Sequence, residues 1–218
     1  MMTRLDTIEL EGMLPRVFVS ESIPASDVWR GKVVFRRGDR YLVEAASGGG
    51  KSSMCAYIYG LRDDYEGELR FNGKDVRGFG ISEWQSLRRE HIAYLPQELS
   101  LFPELTALQN IELKSTLTGG VRRERIEEWL HELGIDSRRN YPVGCMSIGQ
   151  QQRVGIIRAI CQPFDFILLD EPVSHLDEEN NRKAAEIIMA EAQRQGAGII
   201  STSVGNPLLL AEPERLKL

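Results

Sequence analysis

Short apolar runs alternate with longer amphipathic stretches along this chain, and that alternation predicts its elements. Residues 7–18 and 32–46 contain apolar stretches with turn signals between them, such as Arg37-Gly38-Asp39, and read as strands. Tyr41-Leu42-Val43 runs directly into the cluster Gly48-Gly49-Gly50, with a helix expected from Lys51, which makes a strand–loop–helix unit. Residues 67–73, GELRFNG, read as a hairpin arm bounded by glycines. The middle of the chain turns helical. Ile126, Trp129, Leu130 and Leu133 fall at i, i+3, i+4 and i+7, one helix face on which Trp129 is expected to pack. A second buried strand, 164–169, ends in Asp170-Glu171. A helix is expected over roughly 178–195, with Ala185, Ile188, Met189 and Ala192 on one face, and Gly198-Ile199-Ile200 opens a final core strand.

Apolar strands alternating with helices predict an α/β fold with a largely parallel sheet covered on both faces. The glycine loop and the Asp-Glu pair both fall at the carboxyl ends of predicted strands, the edge where open α/β sheets bind ligands.

Composition narrows the picture. The 218 residues suit one domain, or one with an inserted lobe. A net charge of -5 gives no electrostatic case for nucleic acid and no polybasic anchor for an anionic membrane. Cys55, Cys145 and Cys161 are too few and scattered for a disulfide framework, so reduced thiols are expected, with Cys161 in the core. The first residues lack a signal-peptide apolar region, and no apolar run approaches the roughly 20 residues that span a bilayer. A cytoplasmic location is expected, with any membrane path supplied by another chain.

The segment Ala45-Ala46-Ser47-Gly48-Gly49-Gly50-Lys51-Ser52 nearly matches the phosphate-loop pattern G-x-x-x-x-G-K-[ST]. Glycines let such a loop wrap its N–H groups around phosphate, and the following helix turns its positive end to the same anion. Lys51 can reach the β- and γ-phosphates and Ser52 can ligate Mg²⁺. Ala45 stands where the first glycine belongs, so a glycine-like turn there would be strained. Asp170 and Glu171 follow four apolar residues. Carboxylates at the end of a buried strand need a partner, and a magnesium ion carrying ATP is one. Asp170 is read as holding the metal's water shell and Glu171 as orienting or deprotonating the attacking water.

Met146-Ser147-Ile148-Gly149-Gln150-Gln151-Gln152-Arg153 resembles the LSGGQ signature of ABC ATPases and its continuation. In register with it, residues 164–172 resemble that family's Walker B strand, Ser174-His175-Leu176-Asp177 its D-loop, and Tyr94-Leu95-Pro96-Gln97 its Q-loop. Phe18, about 25–30 residues before the phosphate loop, stands where the family stacks an aromatic ring on adenine. The resemblance runs from about residue 8 to about 205. It implies a single domain over 1–218: a P-loop NTPase core with a mostly parallel sheet, an N-terminal antiparallel β subdomain and an inserted α-helical subdomain near 82–158.

The resemblance also implies roles. Ser47, Gly48, Gly49, Gly50, Lys51, Ser52 and Ser53 would bind nucleotide; Ser52, Gln97 and Asp170 would hold Mg²⁺; Glu171 and Gln97 would act in ATP hydrolysis. Two cassettes, identical or not, would face head to tail, so that Ser147, Gly149 and Gln150 of one approach the γ-phosphate held by the other's Lys51. Integral-membrane permease subunits would be the further partners, which puts the chain on the inner face of the cell membrane. Residues 101–111 resemble those of stand-alone cassettes of the lipoprotein-release and macrolide-export type, with Leu101, Phe102 and Leu105 partly exposed beside the Q-loop.

Departures from the family pattern carry their own expectations. Ile148 replaces the first signature glycine and Met146 its leucine. No histidine follows the last core strand, where the family has its switch histidine; alignment puts Ser203 there. Serine donates one hydrogen bond but carries no positive charge. Slow hydrolysis with near-normal ATP binding is the expectation from Ser203 by itself, or else some other group fills the histidine's place. A weakly hydrolysing regulatory module is the alternative reading. Of the three histidines, His91 and His131 are expected at the surface, and His175 in interface packing or solvent contact.

Overall fold

The computed structural model describes residues 3–20 and 25–218. In chain order its main elements are β1 (Thr7–Pro15), β2 (Lys32–Arg36), β3 (Arg40–Glu44), α1 (Lys51–Ile58), β4 (Tyr65–Phe71), β5 (Lys74–Asp75), α2 (Ile81–Ser86), β6 (Ile92–Leu95), α3 (Ala107–Thr118), α4 (Arg123–Glu132), α5 (Ile148–Ile160), β7 (Phe166–Asp170), α6 (Glu178–Gln195), β8 (Gly198–Ser203) and β9 (Glu214–Lys217). Five strands form a parallel sheet in the order β6-β7-β8-β3-β9. Four form an antiparallel sheet in the order β2-β1-β4-β5. The expected α/β architecture, a parallel core with an N-terminal antiparallel sheet, is thus what the chain adopts.

The two faces of the parallel sheet bury two apolar clusters. Ile167, Leu169 and Ile199 join one with Trp129, Leu130, Ile156 and Ile160 from the helices. Phe166, Leu168 and Ile200 join the other with Ile8, Leu10, Phe35 and Phe71 from the antiparallel sheet. Every residue of β7 is buried, and this is why its sequence reads as an unbroken apolar run rather than an alternating one. Trp129 is wholly buried, as its position on the apolar helix face requires. Within 82–158, Ile92–Leu95 forms β6, an edge strand of the parallel sheet, while α3 and α4 pack against α5.

Three expectations need correction. The strand read over 7–18 stops at Pro15, which has no N–H for the ladder, and Arg16–Phe18 is a 3-10 turn. The strand at 198–203 is not the last: β9 adds to the edge beside β3, but its Glu-Arg-Leu-Lys sequence offers a single buried apolar residue and so gives little periodic signal. His91 is 5% exposed rather than at the surface. Its Nδ1 lies 2.6 Å from Asp165 Oδ2, which also accepts the Leu5 N–H at 2.7 Å, so the pair fastens the N-terminal segment to the sheet. His131 is exposed, as expected. Cys145 is exposed, whereas Cys55 and Cys161 are buried, and burial pushes the Cys161 thiol up to about 12.

Candidate nucleotide site

The glycine loop leaves the carboxyl end of β3 and delivers Lys51 to the first position of α1. Gly50 adopts φ 94 just ahead of that helix, and a Cβ there would come 3.0 Å from the Trp29 ring and 3.1 Å from the Phe18 ring. Backbone conformation and close approach therefore both require glycine. Ala45 is not in the left-handed region, so the strain expected there does not arise. Its N–H continues the β3 ladder by donating to Ser203 O at 3.4 Å. The Ala45 methyl lies 2.9 Å from where a Cβ on Gly49 would sit, so the loop tolerates alanine at 45 because residue 49 has no side chain. Trp29, which no sequence pattern marked, is buried and donates its Nε1–H to Gly49 O at 3.0 Å.

Lys51, although it stands at a helix start, is buried, at 4% exposed. Its Nζ donates to Ala45 O at 3.3 Å and Ala46 O at 3.0 Å, and lies 3.7 Å from Glu171 Oε1. The loop has wrapped around its own lysine, as an anion-binding loop does when its carbonyls face back and its N–H groups face the ligand.

Asp170 ends β7 and is 1% exposed; Glu171 follows in the left-handed region at φ 51, with its side chain 16% exposed. The two carboxylates part because one ends the strand and the other begins the turn. Thr202 on neighbouring β8 fixes both: its Oγ1 donates to Asp170 Oδ1 at 2.7 Å and accepts the Glu171 N–H at 3.1 Å. Sequence reading passed over Thr202, although three hydroxyl residues, Ser201 to Ser203, at the end of an apolar strand were a signal that could have been used. Thr202→Val keeps the shape but leaves one buried acceptor and one buried N–H unpaired. The expected loss is about 1–3 kcal/mol per group in denaturant unfolding, with Thr202→Ser close to wild type; equal stability of the valine variant would refute this linkage.

Asp170 Oδ2 is buried and has no hydrogen-bond partner. It borders a cavity of about 520 Å³ that Ser52, Ser53 and Gln97 also line, with Ser52 Oγ 3.5 Å from Gln97 Oε1. An orphaned carboxylate oxygen beside a hydroxyl and an amide carbonyl is an all-oxygen donor set, which fits Mg²⁺. Ser53 Oγ accepts from Arg62 at 3.0 Å. A second cavity, about 760 Å³, lies on the other side of the loop, lined by Phe18, Trp29, residues 44–49 and Ser203 among others. Its size and aromatic wall suit a nucleoside. Ser203 is 1% exposed, with its Oγ unpartnered.

The signature residues lie apart from both cavities. Ser147 caps α5 reciprocally with Gln150: Gln150 N–H donates to Ser147 Oγ at 3.3 Å and Ser147 N–H to Gln150 Oε1 at 3.0 Å. Among the described residues no hydrogen bond joins Ser147, Gly149 or Gln150 to the phosphate loop. One turn on, Gln152 links this helix to the carboxylate turn, donating to Glu171 O and to Ser174 Oγ, both at 3.2 Å.

The chain as a whole is similar to known proteins. The family model described as ABC transporter matches residues 32–174. The ABC transporter ATP-binding protein YtrE of Bacillus subtilis is 32% identical over 163 residues, covering 73% of this chain and 71% of YtrE. The macrolide export ATP-binding/permease protein MacB of Photorhabdus laumondii is 34% identical over 182 residues, or 82% of this chain, but these make up only 28% of MacB. The dimeric bacterial ABC transporter cassette MJ0796 superimposes with a TM-score of 0.74 at 26% identity, over 90% of this chain and 87% of that one. Its dimeric post-hydrolysis state, bound to ADP and Pi, gives 0.73 at 25% identity, over 91% and 88%. By family match, relatives and fold together, this chain belongs to the ABC transporter family as one of its ATP-binding, ATP-hydrolysing cassettes.

Proposed function

We propose that the chain binds Mg-ATP and hydrolyses it as one of two cassettes facing head to tail, and so drives membrane-embedded permease subunits. The observation that carries this reading is the meeting, at one edge of the parallel sheet, of Lys51 with Glu171 and of Ser52 with Gln97 beside the unpartnered oxygen of Asp170. Lys51 and the N–H groups of Ser47, Gly48, Gly49 and Gly50 cradle the phosphates, and Phe18 meets the base. Ser52, Gln97 and Asp170 hold Mg²⁺, which when bound offsets phosphate charge. Glu171 orients the attacking water and accepts its proton. Ser53 lies at the rim of the same site. Ser147, Gly149 and Gln150 reach no nucleotide cavity of their own chain, which fits a role against the γ-phosphate held by a second cassette.

The permease partner rests on the relatives, whose names pair ATP binding with transport or permease function. No helix among the described residues is long and apolar enough to cross a membrane. We infer a peripheral position on the inner face of the membrane, with the helical lobe at about 82–158 carrying the contact. Phe102 is 46% exposed, and Leu101 and Leu105 are half-buried beside it. A photo-crosslinking residue at Phe102 is expected to capture an integral-membrane protein, identified by mass spectrometry. Capture of soluble proteins alone would overturn the transport reading.

A further inference from the structure

Ser203 leaves the nucleotide site without an imidazole, and the chain has one exposed histidine next to its catalytic turn. We propose that His175 acts across the dimer, donating a hydrogen bond from its imidazole to the transferring phosphoryl group held by the partner cassette. This rests on the head-to-tail reading above.

Four observations carry it. First, Lys51 is the only cation in ion-pair contact with Glu171 among the described residues, and Ser203 is a neutral, buried hydroxyl. Second, the other histidines are committed elsewhere: His91 is buried against Asp165, and His131 is exposed on α4. Third, the His175 ring is held in a set orientation. The backbone N–H of His175 donates to Gln152 Oε1 at 3.0 Å, and the ring's Nδ1 lies 3.0 Å from Ser174 Oγ, itself held by Gln152. Among the described residues this leaves Nε2 without a protein partner on an exposed side chain, the arrangement by which a second contact fixes which ring nitrogen is presented. Fourth, His175 shares the signature surface. A Cβ on Gly149 would come 3.0 Å from His175 O, so the turn that carries the histidine packs on the turn that carries Ser147 and Gly149. His175 lines neither nucleotide cavity of its own chain. His175 thus stands next to the turn that, on the head-to-tail reading, approaches the partner's γ-phosphate.

In the reaction, water oxygen bonds to the γ-phosphorus as the bond to the bridging oxygen breaks, and ADP leaves with that electron pair. The water proton passes to Glu171. The partner's imidazole transfers no electrons; its N–H stabilises charge on a γ-oxygen, the help that a preorganised donor gives a transition state.

The test uses mixed dimers of two differently tagged chains, one carrying Glu171→Gln so that a single live site remains. His175→Ala in the Glu171→Gln chain, opposite the live Glu171, is expected to lower kcat by roughly 10²-fold, with KM for ATP little changed. The same substitution beside the live Glu171 is expected to cost far less. Ser203→His in the live chain should restore much of the lost rate, which a merely structural defect would not permit. An equal deficit in both arrangements, a deficit only in the cis arrangement, or none at all would overturn the proposal while leaving the dimer reading intact. Failure of the Glu171→Gln chains to form any ATP-dependent dimer would overturn both.

Discussion

Lys51→Ala is expected to lower ATP affinity by more than about 10²-fold while the chain still folds. A charge-assisted hydrogen bond is worth about 1.5–3 kcal/mol, and Lys51 reaches more than one phosphate oxygen, so the loss exceeds one such bond. The location of Lys51 adds a second cost. It is 4% exposed, and its Nζ donates to Ala45 O and Ala46 O and lies 3.7 Å from Glu171. Removing it takes a donor from Ala45 O, leaves Ala46 O with the Gly49 N–H alone, and leaves Glu171 without its counter-ion beside the triphosphate. A stability decrease of about 1–3 kcal/mol is expected alongside the binding loss. Calorimetric titration with Mg-ATP and denaturant unfolding separate the two effects. Wild-type affinity in a folded Lys51→Ala chain would show that the loop is not a phosphate site.

Glu171→Gln is expected to cut hydrolysis by roughly 10²–10⁴-fold and to accumulate an ATP-stabilised dimer. Glutamine matches the shape of glutamate and accepts no proton, so the left-handed turn at 171 and the Thr202 contact to its backbone N–H are kept. Nucleotide then stays between Lys51 of one chain and Ser147 of the other, and the dimer persists until it dissociates without turnover. Light scattering with and without Mg-ATP is the measurement. A monomer at every nucleotide concentration, with hydrolysis abolished, would separate the catalytic role of Glu171 from the head-to-tail arrangement and sink the latter.

These two predictions differ in how legible their residues were. Lys51, Ser52, Asp170 and Glu171 were found in the sequence because each follows a short apolar strand, and buried strands of a parallel sheet leave an unmistakable run of apolar residues. The burial of Lys51 was not legible, since a helix N-terminus reads as exposed until the loop is seen to fold over it. Trp29 lies 20 residues from the glycine carbonyl that it holds, in a turn without periodicity. Thr202 lies 32 residues from Asp170. His91 and Asp165 are 74 residues apart, and no sequence pattern pairs them.

What the sequence determined by itself was local. Strand, loop and helix follow from apolar spacing and turn chemistry, and the chemical identity of the site follows from side chains within a few residues of those strand ends. Ser147 and Gln150 cap their helix through a contact three residues long, so that too could be read. Only the tertiary structure decided which of these groups meet. Parallel strands of one sheet are joined through long crossovers, so β8 finds β7 and β3 through register rather than through neighbouring sequence. That register brings Thr202 to Asp170 and Ser203 to the phosphate loop, and packing sets the backbone of His175 against the turn at Gly149. Hydrogen bonds of this kind act over about 3 Å, and no pattern along the chain encodes a distance that closes only when the sheet does.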